Sequence, residues 1–301
     1  MSSSNTSHPH HTQTAAFYVS RPAVQSAPIV LNSPHSGQNY TPDFLKLSRL
    51  SATQLRRSED AYVDELFSFA TQMSLPLLAA RFPRAFLDVN REPFELDPAM
   101  FAEPLDFEIN SQSLRVAAGL GTIPRVVGEG QAIYAVKLPL AEIDLRINGL
   151  YRPYHRELTD LLDDTHRQFG EVLLLDCHSM PSQPFTSPVP NHPRADFVLG
   201  DRFGTSCGAG IVECLAQALQ KQGLKVARNK PYAGGFITEH YGHPGGNCHA
   251  LQIEINRDLY MNEKTYEKRQ TFNQLQGVLA QAVQALQGLM NTSGLRQLAA
   301  E

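Results

Sequence analysis

The segment EVLLLDCHSMPS, residues 171–182, decides how the fold is interpreted. It opens with an apolar run and changes within two residues to Asp176, Cys177 and His178. A short, continuous apolar run is typical of a strand that is buried on both faces of a parallel sheet. The segment LNSPHSG, residues 31–37, repeats this pattern and carries His35 after its own apolar run. The sequence therefore predicts two buried strands that each lead into a histidine.

Other short apolar runs predict the rest of a sheet. The predicted strands are 29–32, 75–80, 85–88, 172–176, 196–199, 224–227 and 250–255. Segments with helical periodicity lie between them, at 60–73, 142–169, 202–222 and 263–290, and Pro153 is expected to break or kink the second of these. The alternation predicts an α/β fold of three layers, with a mostly parallel or mixed sheet and helices on both faces.

Residues 27–295 are predicted to form a single catalytic domain. Residues 1–26 are predicted to be a disordered tail, because their polar start has neither the basic nor the apolar segment of a signal peptide. Residues 92–138 are rich in proline and glycine and interrupt the strand–helix rhythm. They are predicted to be an excursion from the sheet that forms a lid or rim over the active site.

Composition argues against several classes of protein. The chain of 301 residues has 42% hydrophobic and 19% charged residues, as in ordinary soluble globular proteins. Its net charge of −4 and the lack of a basic block argue against nucleic acid as a partner. No apolar run reaches the ~18–20 residues that span a membrane. The four cysteines include no C-x-x-C pair and, without an export signal, indicate the reducing cytoplasm.

Polar residues at the predicted strand ends indicate a metal site. Ligands of open parallel sheets bind beyond the carboxyl ends of the strands, which is where His35 and His178 lie. Glu59 and Asp60 begin a predicted helix, and Glu254 lies within a late apolar strand. Two histidines and one carboxylate are a common donor set of catalytic zinc, and a buried glutamate suits a general acid/base. Each histidine alone also fits a hydrogen-bonded loop residue.

A second cluster, RFPRAFLDVNRE at residues 81–92, is rich in arginine. Arginine binds carboxylates through two parallel hydrogen bonds, so Arg84, Asn90 and Arg91 are candidate clamps for an acidic substrate. The alternative for the arginines is ion pairing with Asp88 or Glu92. Arg146, in EIDLRINGLYRPYH at residues 142–155, is either a further clamp or a helix-packing residue.

Two further patterns give weaker indications. The glycine pairs and Pro244 of residues 234–257 predict a loop that either lines a pocket, through His243 or His249, or is purely structural. A serine hydrolase is disfavoured because the chain has no G-x-S-x-G motif and its serines next to histidines are typical of turns.

Six motifs in one order resemble the N-formylglutamate amidohydrolase (N-formylglutamate deformylase) family. They are NSPHSG (32–37), SEDAYVDELF (58–67), RAFLDVNRE (84–92), LLLDCHSMPS (173–182), GGFITEHYG (234–242) and HALQIEINRDLYM (249–261). The resemblance covers roughly residues 28–262. It implies a zinc-exopeptidase-like α/β fold and zinc-dependent hydrolysis of N-formyl-L-glutamate to formate and L-glutamate, a closing step of histidine degradation.

The resemblance also implies roles for individual residues. His35, Asp60 and His178 would bind Zn²⁺, or another divalent metal in its place, and Glu254 would be the general acid/base. The substrate carboxylates would be held by Asn90 and Arg91, with Arg84 or Arg146 as additional clamps. Glu59 is an alternative third ligand, and Asp64 is a weaker one.

The sequence leaves three other functions open. The nearest is a related zinc amidohydrolase that acts on a different N-acyl amino acid or peptide. A binding protein that keeps the fold without activity would bind ligand with no turnover. A structural metal protein would have a closed site of four ligands and no dependence on Glu254.

Overall fold

The computed structural model describes residues 10–14, 16–128, 130–182 and 195–298. Its strands are β1 His10–Gln13, β2 Phe17–Arg21, β3 Ile29–Ser33, β4 Leu77–Ala80, β5 Val126–Val127, β6 Gln131–Ala132, β7 Val172–Met180, β8 Phe197–Gly200, β9 Val226–Arg228 and β10 Cys248–Asn256. Its α-helices are α1 Pro42–Leu47, α2 Ala52–Leu55, α3 Val63–Leu66, α4 Leu114–Ala117, α5 Ala141–Arg146, α6 Arg152–Phe169, α7 Ala209–Gln220, α8 Phe236–Tyr241 and α9 Phe272–Leu298.

Eight of the strands in the described residues form one mixed sheet, in the order β1-β2-β4-β3-β7-β10-β8-β9. The four central strands, β4, β3, β7 and β10, run parallel, whereas β2 and β8 pair antiparallel with β4 and β10. Every residue of β7 is buried, as its apolar run predicts. Because β3, β7 and β10 are adjacent and parallel, their carboxyl ends lie side by side.

Apolar side chains cover both faces of this sheet. Successive residues of a strand point to opposite faces, so Leu31 and Leu175 join the cluster with α7 and α9, whereas Val30 and Leu174 join the cluster with α6. The sheet therefore lies between two layers of helices. The predicted α/β fold, with a mixed, mostly parallel sheet and helices on both faces, is confirmed.

The predicted helix over 142–169 is interrupted where Pro153 lies. The segment Ile147–Tyr151 is a π-helical turn between α5 and α6, and Pro153 occupies the first turn of α6. Proline has no N–H to donate, so it is tolerated at the start of a helix and disrupts the hydrogen bonds of a preceding turn. The predicted strand over 85–88 is wrong: Phe86 and Leu87 instead donate their N–H groups to the Pro83 carbonyl in a turn.

The predicted disordered tail, residues 1–26, extends too far, because it includes two strands of the sheet. β1 and β2 are part of the sheet, where β2 pairs with β4 and buries Phe17 and Val19. Only Tyr18 and Arg21 of β2 are less buried, and the strand lies between β1 and β4 in the sheet. The prediction for residues 1–9 lies outside the described residues.

Residues 92–138 are the segment that is predicted to leave the sheet. In the described part of this segment, α4 and the hairpin of β5 and β6 make no strand pairing with the main sheet. A groove of about 950 Å³ lies between its first part and α5, lined by residues that include Phe94, Phe107 and Ile147. A lid function of the segment stays a prediction. A helix with the length and apolarity to cross a membrane is absent from the described part of the chain.

Candidate metal centre and active site

His35, Asp60 and His178 lie together at the carboxyl ends of β3 and β7. One ligand atom from each is within 4.8 Å of the other two, and all three side chains are buried. The Nδ1 atoms of His35 and His178 are 3.3 and 3.1 Å from Asp60 Oδ2. Among the residues that the structure describes, no other group of three or more metal-binding side chains comes this close together.

The backbone explains why these residues meet. β3 and β7 pair in parallel with Asn32 opposite Asp176, so the residues that follow each position arrive at the same edge. The N–H of Asp60 donates to the His35 carbonyl at 3.1 Å, which joins the segment before α3 to the end of β3. The three predicted metal ligands are thus brought together by strand register and one backbone hydrogen bond.

Each histidine is oriented by a second carboxylate. His35 Nε2 is 2.8 Å from Asp88 Oδ1, and His178 Nε2 is 2.8 Å from Asp176 Oδ2. Burial alone would raise the pKa of Asp88, but the charges of Arg91, Arg84 and His35 hold that pKa well below its ordinary value. A neutral imidazole that donates its Nε2–H to such a carboxylate keeps the Nδ1 lone pair, and this arrangement commonly orients metal-binding histidines.

The second oxygen of Asp60 is held on the opposite side from the histidines. Asp60 Oδ1 accepts hydrogen bonds from Ser179 Oγ at 3.1 Å and from Arg257 Nη2 at 3.0 Å. Arg257 Nε also donates to Ser179 Oγ at 3.0 Å. Burial alone would raise the pKa of Asp60, but its contacts with His178 and His35 hold that pKa well below its ordinary value. Asp60 therefore presents one ionised oxygen, Oδ2, to the histidines.

The two alternative carboxylates face elsewhere. Glu59 binds Arg56 through both of its oxygens, at 2.9 and 3.1 Å, and accepts from the Tyr40 hydroxyl at 3.3 Å. Asp64 accepts from the Tyr18 hydroxyl at 3.0 Å. The carboxylate that the structure places beside the histidines is Asp60.

Glu254 lies directly opposite His178 in the parallel pairing of β10 with β7. Its side chain is buried, and burial raises its pKa to about 7 against the opposing effect of the His178 charge. Its Oε1 accepts a hydrogen bond from Gln252 Nε2 at 2.9 Å, while Oε2 receives none from a described residue. A carboxyl group with a pKa near neutrality and one unbound oxygen is suited to proton transfer.

The four predicted substrate clamps differ in what they contact. Arg84 donates from Nε to Asp88 Oδ2 at 3.0 Å, and its terminal nitrogens bind no other described residue. Burial alone would lower the pKa of Arg84, but the charges of Asp88, Asp60 and Glu254 raise it above its ordinary value. Its side chain is 27% exposed, which leaves it accessible to a ligand.

Asn90 and Arg91 bind the chain itself. Arg91 donates from Nε to the Leu120 carbonyl and from Nη1 to the Asn90 carbonyl, at 2.9 and 2.7 Å, and its Nη2 lies 3.4 Å from Asp88. Asn90 Oδ1 accepts from the Ile237 N–H at 2.8 Å. These contacts hold the turn that carries Asp88.

Arg146 is not brought to the cluster. Its guanidinium is fully buried, pairs with Glu142, donates to the Phe86 carbonyl at 2.9 Å and to the Tyr134 hydroxyl at 2.6 Å, and lies over the Phe86 ring. The structure therefore shows the packing alternative for this residue.

Comparison with known proteins places this architecture in one family. The sequence model of the N-formylglutamate amidohydrolase family matches residues 27–261. The chain belongs to the N-formylglutamate amidohydrolase family. It is 29% identical over 267 residues to the N-formylglutamate deformylase of Pseudomonas putida, which covers 86% of this chain and 92% of that protein.

Solved structures agree with this assignment. The crystal structure of N-formylglutamate amidohydrolase from Ralstonia eutropha JMP134 is 36% identical, with a TM-score of 0.85 over 93% of this chain and 100% of that one. A second structure, the gene product Atu2144 of Agrobacterium tumefaciens, has a TM-score of 0.65 at 19% identity over 91% of this chain and 94% of that one, and shows the fold alone. The family resemblance that the six motifs indicate is confirmed, and the chain is a hydrolase of this family.

Sequence reasoning missed several residues of this family member's site. Asp176, Ser179, Gln252 and Arg257 all contact a predicted site residue. Residues two apart on a strand point to the same face. This spacing relates Asp176 to His178 and Gln252 to Glu254, so it could have identified Asp176 and Gln252 from the sequence. Arg257 directly follows the carboxyl end of β10, where the strand-end rule applies.

The remaining predicted candidates lie outside the cluster. His249 Nδ1 accepts from the Gly208 N–H at 3.3 Å, and no described contact joins His243 to the metal-binding group. Ser33 and Ser36 bond to each other, and Ser36 Oγ accepts from the Asp64 N–H at 3.2 Å, as turn residues do. The groove beside residues 92–110 shares no residue with the cluster.

Proposed function

We propose that this chain is a zinc-dependent N-formylglutamate deformylase. It hydrolyses N-formyl-L-glutamate to formate and L-glutamate, a step that closes a route of histidine degradation. The observation that carries the proposal is the buried group of His35, Asp60 and His178 beside Glu254, in a chain of the N-formylglutamate amidohydrolase family.

The donor atoms of the cluster fit zinc. Two imidazole nitrogens and one carboxylate oxygen are a set that catalytic zinc uses, and three protein ligands leave a further position for water or substrate. Asp88 and Asp176 orient the imidazoles as zinc sites require. When bound here, zinc supplies a Lewis acid and lowers the pKa of a coordinated water to about 7.

Glu254 supplies the proton transfer. In the ionised form, its carboxylate takes a proton from the water whose oxygen attacks the formyl carbon. The same proton then passes to the amide nitrogen as the C–N bond breaks, which yields formate and the free amino group of glutamate. A pKa of about 7 allows Glu254 to accept and return the proton near neutrality.

Arg84 binds a carboxylate of the substrate. Its Nε is used by Asp88, its terminal nitrogens bind no other described residue, and its side chain is partly exposed. Contacts of Asn90 or Arg91 with the substrate stay predictions from the family, because Asn90 Oδ1 and the nitrogens of Arg91 already bind the chain. Arg146, buried against Glu142, is not part of the proposal.

The test is formate release from N-formyl-L-glutamate by the purified protein before chelation, after chelation and after zinc is restored. Release that chelation abolishes and zinc restores supports the proposal. N-acetyl-L-glutamate and N-formyl-L-methionine are matched substrates, since the first changes the acyl group and the second removes the side-chain carboxylate. No formate from a folded, zinc-loaded sample would reject deformylation of N-formyl-L-glutamate, and turnover of another member of the panel would identify a related amidohydrolase.

A further inference from the structure

Gln252 and Glu254 lie two residues apart on β10, so their side chains point to the same face of the strand. Gln252 is buried, with 4% of its surface exposed. Its Nε2 donates to Glu254 Oε1 at 2.9 Å, and its Oε1 accepts from the Gly235 N–H at 2.9 Å. Because a backbone N–H can only donate, this second bond fixes which end of the amide faces Glu254.

The backbone at Gly235 packs closely against the side chain of Asn90. A Cβ atom on Gly235 would lie 2.4 Å from Asn90 Oδ1, so only glycine allows this close approach. Two residues later, the Ile237 N–H donates to the same Asn90 oxygen at 2.8 Å. Asn90 Nδ2 in turn lies 3.4 Å from Nε2 of His178. The segment 235–237 is therefore held between two side-chain amides, of which Asn90 reaches His178 and Gln252 reaches Glu254.

We propose that Gln252 is a positioning residue for Glu254. With the segment 235–237 as its anchor, Gln252 fixes the carboxyl group of Glu254 relative to His35, Asp60 and His178. It binds Oε1, so Oε2 is the oxygen that transfers the proton. The inference rests on the proposed function, because it gives Gln252 its role through the general acid/base.

The physical reason is the flexibility of a glutamate side chain. A free glutamate has several rotatable bonds, and a misplacement of about 1 Å in a reacting group can reduce the rate by about 10²-fold. The strand fixes the backbone of Glu254 but not the direction of its carboxyl group. A hydrogen bond from a neighbour that is anchored on the backbone removes this freedom.

The main test is Gln252→Met, which keeps the length of the side chain and removes both hydrogen bonds. We expect kcat for formate release to fall about 10- to 100-fold, with KM within about twofold of its original value and the zinc content unchanged. In a Glu254→Gln background, measured at high enzyme concentration, the same change should alter kcat by less than about twofold, because the group that Gln252 positions is already gone. An equal fall in both backgrounds would overturn the proposal.

Gln217→Met is the matched control. Gln217 on α7 donates from Nε2 to Glu213 Oε1 at 2.8 Å, the same kind of bond at an exposed site. Its loss should leave kcat unchanged. If Gln252→Met does not fold, Gln252→Glu keeps an acceptor for the Gly235 N–H but places a second carboxyl group against Glu254. A lower kcat with unchanged KM is then expected, and an unchanged kcat overturns the proposal.

A crystal structure of Gln252→Met separates this inference from the proposed function. If the unsubstituted protein releases no formate, the proposed function fails, whereas the position of the Glu254 carboxyl group can still be measured without a substrate. A displacement of about 1 Å or more relative to the unsubstituted crystal supports the positioning role. A carboxyl group that stays in place rejects it, whatever the substrate.

Discussion

The carboxyl edge of the sheet and the turn over residues 84–91 both bring charged groups to the site, but they hold them differently. At the sheet edge, neighbouring parallel strands fix the backbones of His178 and Glu254 through their register. In the turn, no strand pairing is present among the described residues, and the side chains of Arg84 and Arg91 hold the loop by binding Asp88. Strand pairing thus positions the functional groups at the sheet edge, whereas ion pairs between its own side chains stabilise the conformation of the turn.

The largest expected effect tests the sheet edge. Glu254→Gln should reduce formate release about 10²- to 10⁴-fold, because the amide cannot accept the proton of the attacking water. Zinc content should stay unchanged, since Glu254 is not one of the three clustered ligands. Steady-state rates and metal analysis of the same preparation check both statements. A near-normal rate would show that the sheet edge does not supply the general acid/base.

The next prediction distinguishes Arg84, a proposed substrate-binding residue, from Arg146, which packs inside the protein. Arg84→Met should raise KM for N-formyl-L-glutamate about 10- to 100-fold, since a charged hydrogen bond contributes about 1.5–3 kcal/mol. Stability should fall less than it does in a variant of a fully buried arginine, because Arg91 still pairs with Asp88 when Arg84 is gone. Substrate titrations and thermal unfolding measure the two quantities.

Arg146→Met is the contrasting variant. It should leave KM unchanged and reduce the free energy of unfolding by about 3 kcal/mol, because it removes a buried cation and leaves Glu142 without its partner. If Arg84→Met loses stability and keeps its KM, both arginines are structural and the turn contributes no substrate contact.

This contrast explains how much the sequence could predict. The meeting of His35, His178 and Glu254 at one edge was predictable because apolar runs identify buried strands, and parallel strands bring their ends to one edge. The roles of the arginines were not, because a guanidinium has five donors on a flexible side chain and binds whichever acceptors the tertiary structure provides. For Arg146 these are Glu142, the Phe86 carbonyl and Tyr134, and sequence spacing indicates only the first.

The choice between neighbouring acids was also beyond the sequence. Glu59 and Asp60 are adjacent, and only the partners decide between them: Arg56 and Tyr40 bind Glu59, while Ser179 and Arg257 hold Asp60 toward the histidines. Likewise, β1 and β2 were missed because they are short strands that follow a polar segment, which resembles a solvated tail in composition.

A smaller effect is expected on metal affinity. Arg257→Lys keeps the charge but loses the planar fork that binds Asp60 Oδ1 and Ser179 Oγ together. Residues that hydrogen-bond to metal ligands commonly change metal affinity by about 10- to 100-fold when they are replaced. We expect a loss of zinc affinity near the lower of these values, because Ser179 still binds Asp60. Competition with a chromophoric chelator measures the zinc affinity. Ser179→Ala should weaken it in the same direction, and an unchanged affinity in both variants would contradict the role assigned to Asp60 Oδ1.

A further effect concerns the stability of the metal-free protein, where the two buried carboxyl groups of the site should act in opposite directions. Burial raises the pKa of Glu254 from 4.5 to about 7, so in the folded state this group keeps its proton at pH values where the unfolded chain has lost it. Glu254 therefore makes its full contribution to the free energy of unfolding below pH 4.5, where it is protonated in both states. This contribution is lost as the pH rises toward about 7. Asp60 behaves oppositely, because its pKa is lowered below 3.8 and its contribution is lost as the pH falls.

Urea unfolding of chelated protein between pH 5 and pH 8 should therefore show Glu254→Gln becoming more stable than the unsubstituted chain as the pH rises. The difference should approach on the order of 3 kcal/mol above pH 7, since each pKa unit corresponds to about 1.4 kcal/mol. Asp60→Asn should be less stable than the unsubstituted chain at neutral pH. A difference for Glu254→Gln that does not depend on pH would mean that the strand holds this carboxyl group in a solvated position. The sheet edge would then fix the backbone of Glu254 without giving its side chain the raised pKa that the proton transfer uses.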